Sequence, residues 1–248
     1  RAAELNKIWK VKTGDLWQCG DHRIICGDCT DPAVVERVMG GEKADALISD
    51  PPYGMGLDAS WYGGKTAFGT VVNSPTQHTG KAEWDESPFD PSHLIGLSKN
   101  IALFGANFFC TRLPEDGTWW VWDKHITADG ETQTWYGMPF ELIWMNGKHA
   151  HKVIRHLWAG FTRKASNEDK VRYHPTQKPI AVMSELIEYL SGIENIVLDP
   201  YLGSGTTLIA CENTGRKCRG IEISPDYCAV ILQRFKDATG KEPVRIND

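Results

Sequence analysis

At 248 residues the chain is long enough to bury the core of one large domain, and residues 1–248 are read as a single domain. Hydrophobic residues make up 41% and charged residues 24%, and no apolar run approaches the ~20 residues of a membrane span, which excludes a helical membrane protein. The formal net charge of -5 does not by itself point to a nucleic-acid binder, so any such surface has to be local.

The chain opens at Arg1 without a methionine and without a secretory signal, so an upstream segment lost by processing or excision is expected. Seven cysteines in no regular framework suit a reducing compartment, and a cytoplasmic location is expected. Cys19, His22, Cys26 and Cys29 are all zinc-capable residues, but "HRIIC" reads as a buried strand and the spacing leaves no room for a zinc loop. No metal is expected.

In chain order, seven short apolar runs predict buried strands: 22–26, 45–49, 101–105, 118–122, 140–145, 196–198 and 219–223. Helical periodicity falls at 32–39, 179–191, 206–215 and 225–235. Strands alternating with helices of this length predict an α/β fold, a mostly parallel sheet with helices on both faces. Two regions resist the pattern, 54–91 and 147–173, and long loops of this kind are candidates for substrate contact. Between Lys148 and Lys178 stand eight Lys or Arg and four His against only Glu168 and Asp169. Such a stretch is either a solvated loop or a local nucleic-acid-binding surface, with Arg155, Arg163, Lys164 and Arg172 as its candidate DNA contacts.

Two stretches carry the chemistry. In "NIVLDPYLGSGTTLIACENTG", residues 195–215, an apolar strand ends at Asp199, a turn with Gly203, Ser204 and Gly205 follows, and Thr206 opens a helix whose first N–H groups are free. No Lys follows the glycines as a phosphate-binding P-loop demands, and the fuller G-x-G-x-x-G spacing is absent. The next strand ends in Glu222, an acid placed to accept both hydroxyls of a ribose. Asp199 disfavours a pyrophosphate and favours a ligand with an ammonium group. S-adenosylmethionine fits both. The other stretch is "LISDPPYGMG", residues 47–56, where a strand stops at Asp50, Pro51, Pro52 and Tyr53.

Together, "DPPY" and "DPYLGSGTT" resemble the amino-methylating DNA methyltransferases over nearly the whole chain, and their order, catalysis before cofactor, resembles the β subgroup. The resemblance implies a Rossmann-like, circularly permuted sheet of seven strands, with 196–198 as strand 1. It implies that Asp50, Pro51, Pro52 and Tyr53 are catalytic, and that Asp199, Pro200, Gly203, Ser204, Gly205 and Thr206 form the S-adenosylmethionine turn. "RYHPTQKP" looks like the element that brings Thr176 and Lys178 near the methionine end of the cofactor, and "ICGDC" like the one that brings Asp28 to its adenine. Tyr201 stands where the family more often has Phe.

An exocyclic amine on adenine or cytosine is a poor nucleophile because its lone pair is conjugated into the ring. Asp50 and the Pro51 carbonyl are expected to accept its two N–H groups and draw the nitrogen out of plane, with the prolines holding both acceptors still. Tyr53 is expected to stack on a base flipped out of double-stranded DNA. Trp119, Trp120, Trp122, Trp135 and Trp144 are expected in packing, and Glu141 is either a site residue or an exposed strand acid. The geometry would serve either amine, and the family resemblance, in which an aspartate heading D-P-P-Y is commoner among adenine methylators, implies N6 of adenine. N4 of cytosine, RNA or a protein glutamine as substrate, and a non-catalytic DNA-binding or cofactor-sensing protein are the other readings. A homodimer and a cognate restriction enzyme, as in restriction-modification, are partners the resemblance leaves open.

Overall fold

The computed structural model describes residues 2–54, 88–125, 139–159, 162–163 and 177–246. Its strands are β1 (Leu16–Cys19), β2 (His22–Cys26), β3 (Ala44–Ser49), β4 (Ser98–Phe104), β5 (Thr118–Asp123), β6 (Phe140–Met145), β7 (Val153–Arg155), β8 (Trp158–Ala159), β9 (Thr162–Arg163), β10 (Ile196–Asp199), β11 (Lys217–Glu222) and β12 (Val244–Ile246). The helices are α1 (Ala2–Trp9), α2 (Pro32–Met39), α3 (Ile180–Leu190), α4 (Thr206–Thr214) and α5 (Pro225–Thr239). None of the described helices is long and apolar enough to cross a membrane.

The main sheet runs β12-β1-β2-β11-β10-β3-β4-β6-β5-β7, and β8-β9 form a separate ribbon. All seven expected strands are present and contiguous in it, but the sheet holds ten strands among the described residues. The three additions are short edge pieces, β1 and β12 on one side and β7 on the other, with too few residues to show a period. The centre, β2-β11-β10-β3-β4, is parallel throughout, while β6 runs antiparallel to both β4 and β5. Region 147–173, expected to be a loop, carries β7, β8 and β9 in its described part. Residues 55–87, most of the other expected loop, lie outside the described residues.

Alternation along the strands splits the core in two. Ile24, Ile48, Phe104, Trp120, Trp122 and Val197 face one side and pack against α3, α4 and α5. Ile25, Leu47, Leu103, Trp144, Leu198 and Ile221 face the other, against α2 and the 3-10 turns at Pro91–His93 and Ala106–Phe108. Helices on both faces are what a central parallel sheet requires, since its strands are buried on both sides. Trp120, Trp122 and Trp144 are core residues and Trp119 is partly buried, while Trp135 lies outside the described residues. His22 of the cysteine cluster is buried, accepting the Cys218 amide at Nδ1 and bonded through Nε2 to Glu212.

The strand directions bring the ends of β2, β3, β4, β5, β7, β10 and β11 and the start of β6 to one edge of the sheet. In an open sheet of this kind, ligands bind beyond the carboxyl ends of the strands.

Candidate active site

Asp50 follows directly on the end of β3, and the chain turns there through buried Pro51 to Tyr53, half-buried. Neither proline can continue the ladder, so the strand has to stop at this point. The Tyr53 hydroxyl lies 2.5 Å from Asp50 Oδ1 and 2.7 Å from Glu141 Oε1. Lys178, just before α3, donates from Nζ to Asp50 Oδ2 at 2.7 Å, lies 2.9 Å from Glu141 Oε1 and approaches the Tyr53 hydroxyl at 3.2 Å. Lys124, one residue past β5, holds Glu141 Oε2 at 2.6 Å. Two carboxylates and two ammonium groups thus share one small volume beside the tyrosine.

Glu141 therefore belongs to the buried cluster around Asp50 and is not an exposed strand acid. It sits at the start of β6, where the pairing of Asp123 with Phe140 sets Lys124 beside it. Burial opposes its charge, but Lys178 and Lys124 outweigh burial and hold its carboxyl down to about 2. Asp50 shares only Lys178; burial raises its pKa, and the neighbouring Glu141 charge adds to the rise. Burial likewise opposes the Lys178 charge, yet the two carboxylates more than offset this and raise its pKa.

The ring of Tyr53 stacks on Phe108, centroids 5.4 Å apart and planes 16° from parallel. On the chain side it is admitted by Gly105, where an added Cβ would fall 2.1 Å from the ring. Phe108 is 41% exposed at the rim of this corner.

The second half of the site lies around β10. Asp199 ends the strand, buried, and accepts from Ser49 Oγ at 2.6 Å, from Thr207 Oγ1 and from the Tyr201 amide at 3.1 Å. Burial lifts its carboxyl to about 6. Three bonds leave one lone-pair position, on Oδ2. Ser49 is the last residue of β3, so its bond joins the Asp50 corner to the β10 turn. Pro200 and Ser204 are buried in that turn, and Gly203 and Gly205 take left-handed φ of 57° and 81°. Gly205 caps α4 without a side-chain bond, so no capping side chain takes up the N–H groups of the first turn. Arg234, buried in α5, clasps the turn from behind, donating to the Ser204 carbonyl at 3.0 Å and to Thr206 Oγ1 at 3.2 Å.

Glu222 ends β11 and accepts the Gly203 amide on Oε2 and the Ser224 amide on Oε1, both at 2.9 Å. A carboxylate can accept about four bonds, so acceptor capacity remains beside these, of the kind that ribose hydroxyls require. Burial raises its carboxyl to about 7. Asp28 lies one residue beyond Gly27, whose amide bonds the Glu222 carbonyl at 3.0 Å, and its Oδ1 accepts from Thr30. Tyr201 bonds His93 at 2.9 Å through the hydroxyl that a phenylalanine would lack.

Of the basic candidates, Arg155 is exposed at the end of β7, on the same edge as the site, and Arg163 belongs to β9 opposite Trp158. Thr176, Lys164 and Arg172 lie outside the described residues. Sequence patterns do not single out Ser49, Lys124 and Arg234. A polar residue at a strand tip is the available signal for the first two.

The N6/N4 family described as DNA methylase matches residues 116–233. The putative methylase YubD of Escherichia coli K12 is 45% identical over 237 residues, which cover 86% of this chain and 89% of that protein. The DNA adenine methyltransferase YhdJ of the same organism is 40% identical over 88 residues, 36% of this chain and 30% of YhdJ. Among solved structures, TTHA0409 of Thermus thermophilus, a putative DNA modification methylase complexed with S-adenosyl-L-methionine, shares the fold: TM-score 0.50 at 19% identity, covering 92% of this chain and 100% of that one. With the family model over residues 116–233 and YubD matched at 45% identity over 86% of the chain, the chain belongs to the N6/N4 DNA methylase family.

Proposed function

We propose that this protein transfers a methyl group from S-adenosylmethionine to N6 of an adenine flipped out of double-stranded DNA. The observation that carries the reading is the Ser49–Asp199 hydrogen bond at 2.6 Å, which joins an amine-accepting corner to a nucleoside-accepting turn. The cofactor, when bound, supplies an electrophilic methyl group on a sulfonium. The donor and acceptor set fits it. Glu222 has lone pairs for a ribose, the uncapped start of α4 offers N–H groups to a carboxylate, and the remaining lone pair of Asp199 can take an ammonium N–H. Asp28 stands beside the β11 tip, on the adenine side, and Thr176 and Lys178 are assigned to the methionine side.

At the other corner, Asp50 and the Pro51 carbonyl accept the two amine N–H groups and pull the nitrogen toward tetrahedral geometry. Preorganised acceptors of this kind contribute about 3 kcal/mol each to the transition state. Tyr53 and Phe108 form the aromatic wall for the flipped base. Phe108 already covers one face of Tyr53, so an entering base displaces Phe108 or stacks on its exposed side. Stacking returns roughly 1 to 3 kcal/mol toward the cost of flipping. Arg155, Arg163, Lys164 and Arg172 supply phosphate contacts from the basic segment. We read the whole chain as one domain and, counting from β10, as the circularly permuted arrangement.

Adenine is favoured over cytosine because aspartate heads the D-P-P-Y corner and because YhdJ is named an adenine methyltransferase. Digesting DNA methylated by the purified protein and quantifying both modified nucleosides tests this. N6-methyladenine is the expected product, and N4-methylcytosine alone would overturn the choice of base.

A further inference from the structure

The Tyr53 hydroxyl has one proton and two carboxylates to give it to, Asp50 Oδ1 at 2.5 Å and Glu141 Oε1 at 2.7 Å. While the proton points at Asp50, that oxygen is partly occupied by a donor from within the protein. Lys178 cannot resolve the contest, because its three N–H groups face Asp50 Oδ2, Glu141 Oε1 and the hydroxyl oxygen itself. Glu141 is unusually well fixed for an acid that touches no expected ligand. Its side chain is 11% exposed, Lys124 pins Oε2 at 2.6 Å, and Oε1 is left aimed at Tyr53 and Lys178.

From this geometry we infer that Glu141 is a positioning residue: when the target amine arrives, the Tyr53 hydroxyl turns its hydrogen bond from Asp50 to Glu141, freeing Asp50 Oδ1 for an amine N–H. No covalent bond changes in the step. The hydroxyl rotates about its C–O bond and exchanges one charged acceptor for another of nearly equal distance, so donors and acceptors remain paired in both arrangements. Lys124 acts one link further out, by keeping the Glu141 carboxylate oriented. The inference deepens the reading of Asp50 given above and rests on it.

A double-mutant cycle between Glu141 and Tyr53 tests it, in the full-length protein at saturating DNA and S-adenosylmethionine. Glu141→Gln should lower kcat about 10-fold or more, with the KM for the cofactor within about twofold of wild type, because Glu141 does not touch the β10 turn. In a Tyr53→Phe background, where no hydroxyl competes for Asp50, the same substitution should lower kcat by no more than about threefold. Equal losses in both backgrounds, or no loss in either, would overturn the inference. So would a loss in Tyr53→Phe alone as deep as in Asp50→Ala, since the hydroxyl is inferred to compete for Asp50 and not to replace it. Should Glu141→Gln fail to fold, Lys124→Gln reads the same coupling from a more exposed position and should depend on Tyr53 in the same way. Full turnover in Asp50→Ala would remove the underlying reading. An Asp50-dependent enzyme with an additive cycle would remove this inference alone.

Discussion

Glu222 has a structural role in the turn and, in the proposed function, a recognitive one as well. Its two amide bonds fix the start of the glycine turn, and its remaining acceptor capacity is what the proposed ribose contact would use. Glu222→Gln should weaken S-adenosylmethionine binding by about 10- to 100-fold, as expected for loss of charge-assisted bonds of roughly 1.5 to 3 kcal/mol, with DNA affinity unchanged. Titration calorimetry measures it. The carboxyl is raised to about 7 by burial in the free protein, so it binds protons as pH falls through neutrality. Cofactor affinity should therefore decline below about pH 7 in the wild type, whereas in the glutamine variant the decline should begin only near pH 6, where Asp199 takes up its proton. Glu222 is legible in the sequence because strand tip, acid and glycine turn are close together along the chain. Glu141 is not, because its partners Lys124, Lys178 and Tyr53 come from three other segments and only the antiparallel β5–β6 register brings the first beside it.

At the scale of elements, Gly105 follows the end of β4 and makes room for Tyr53. Its φ of 61° and the 2.1 Å approach of an added methyl carbon to the Tyr53 ring both forbid a side chain. Gly105→Ala should lower stability by about 1 to 2 kcal/mol for the backbone alone, and should cut methyl transfer further by displacing Tyr53. A denaturation curve beside a transfer assay separates the two losses; an unaffected rate would mean that Tyr53 does not need its present seat. The central strands and α2 are readable from apolar runs and turn residues, and the β6 limits coincide with those expected from the sequence. α1 escapes because it buries no residue fully and is tied down by Asn6 to Asp226 and Trp9 to Gln233, contacts with α5 from the far end of the chain. β7, β8 and β9 escape because two or three residues cannot display alternation.

Over the whole molecule, the sheet serves to bring two distant parts of the sequence to one edge. Ser49 and Asp199 are separated by most of the chain, yet one hydrogen bond joins them because β3 and β10 are neighbours in register. The family motifs make both corners legible, but the motifs say nothing of the bond between them, which depends on strand order. The basic segment is legible only as composition, and Arg155 at the end of β7 is the one of its four candidates whose side-chain exposure at this edge is described. The central claim is that Asp50 acts on the amine and not on the cofactor. Its most direct test is single-turnover methyl transfer to DNA by Asp50→Ala, measured beside S-adenosylmethionine affinity and melting temperature. The account predicts a fall in rate of about 100-fold or more, with the cofactor dissociation constant within about twofold of wild type. Near-normal transfer by this variant would contradict it.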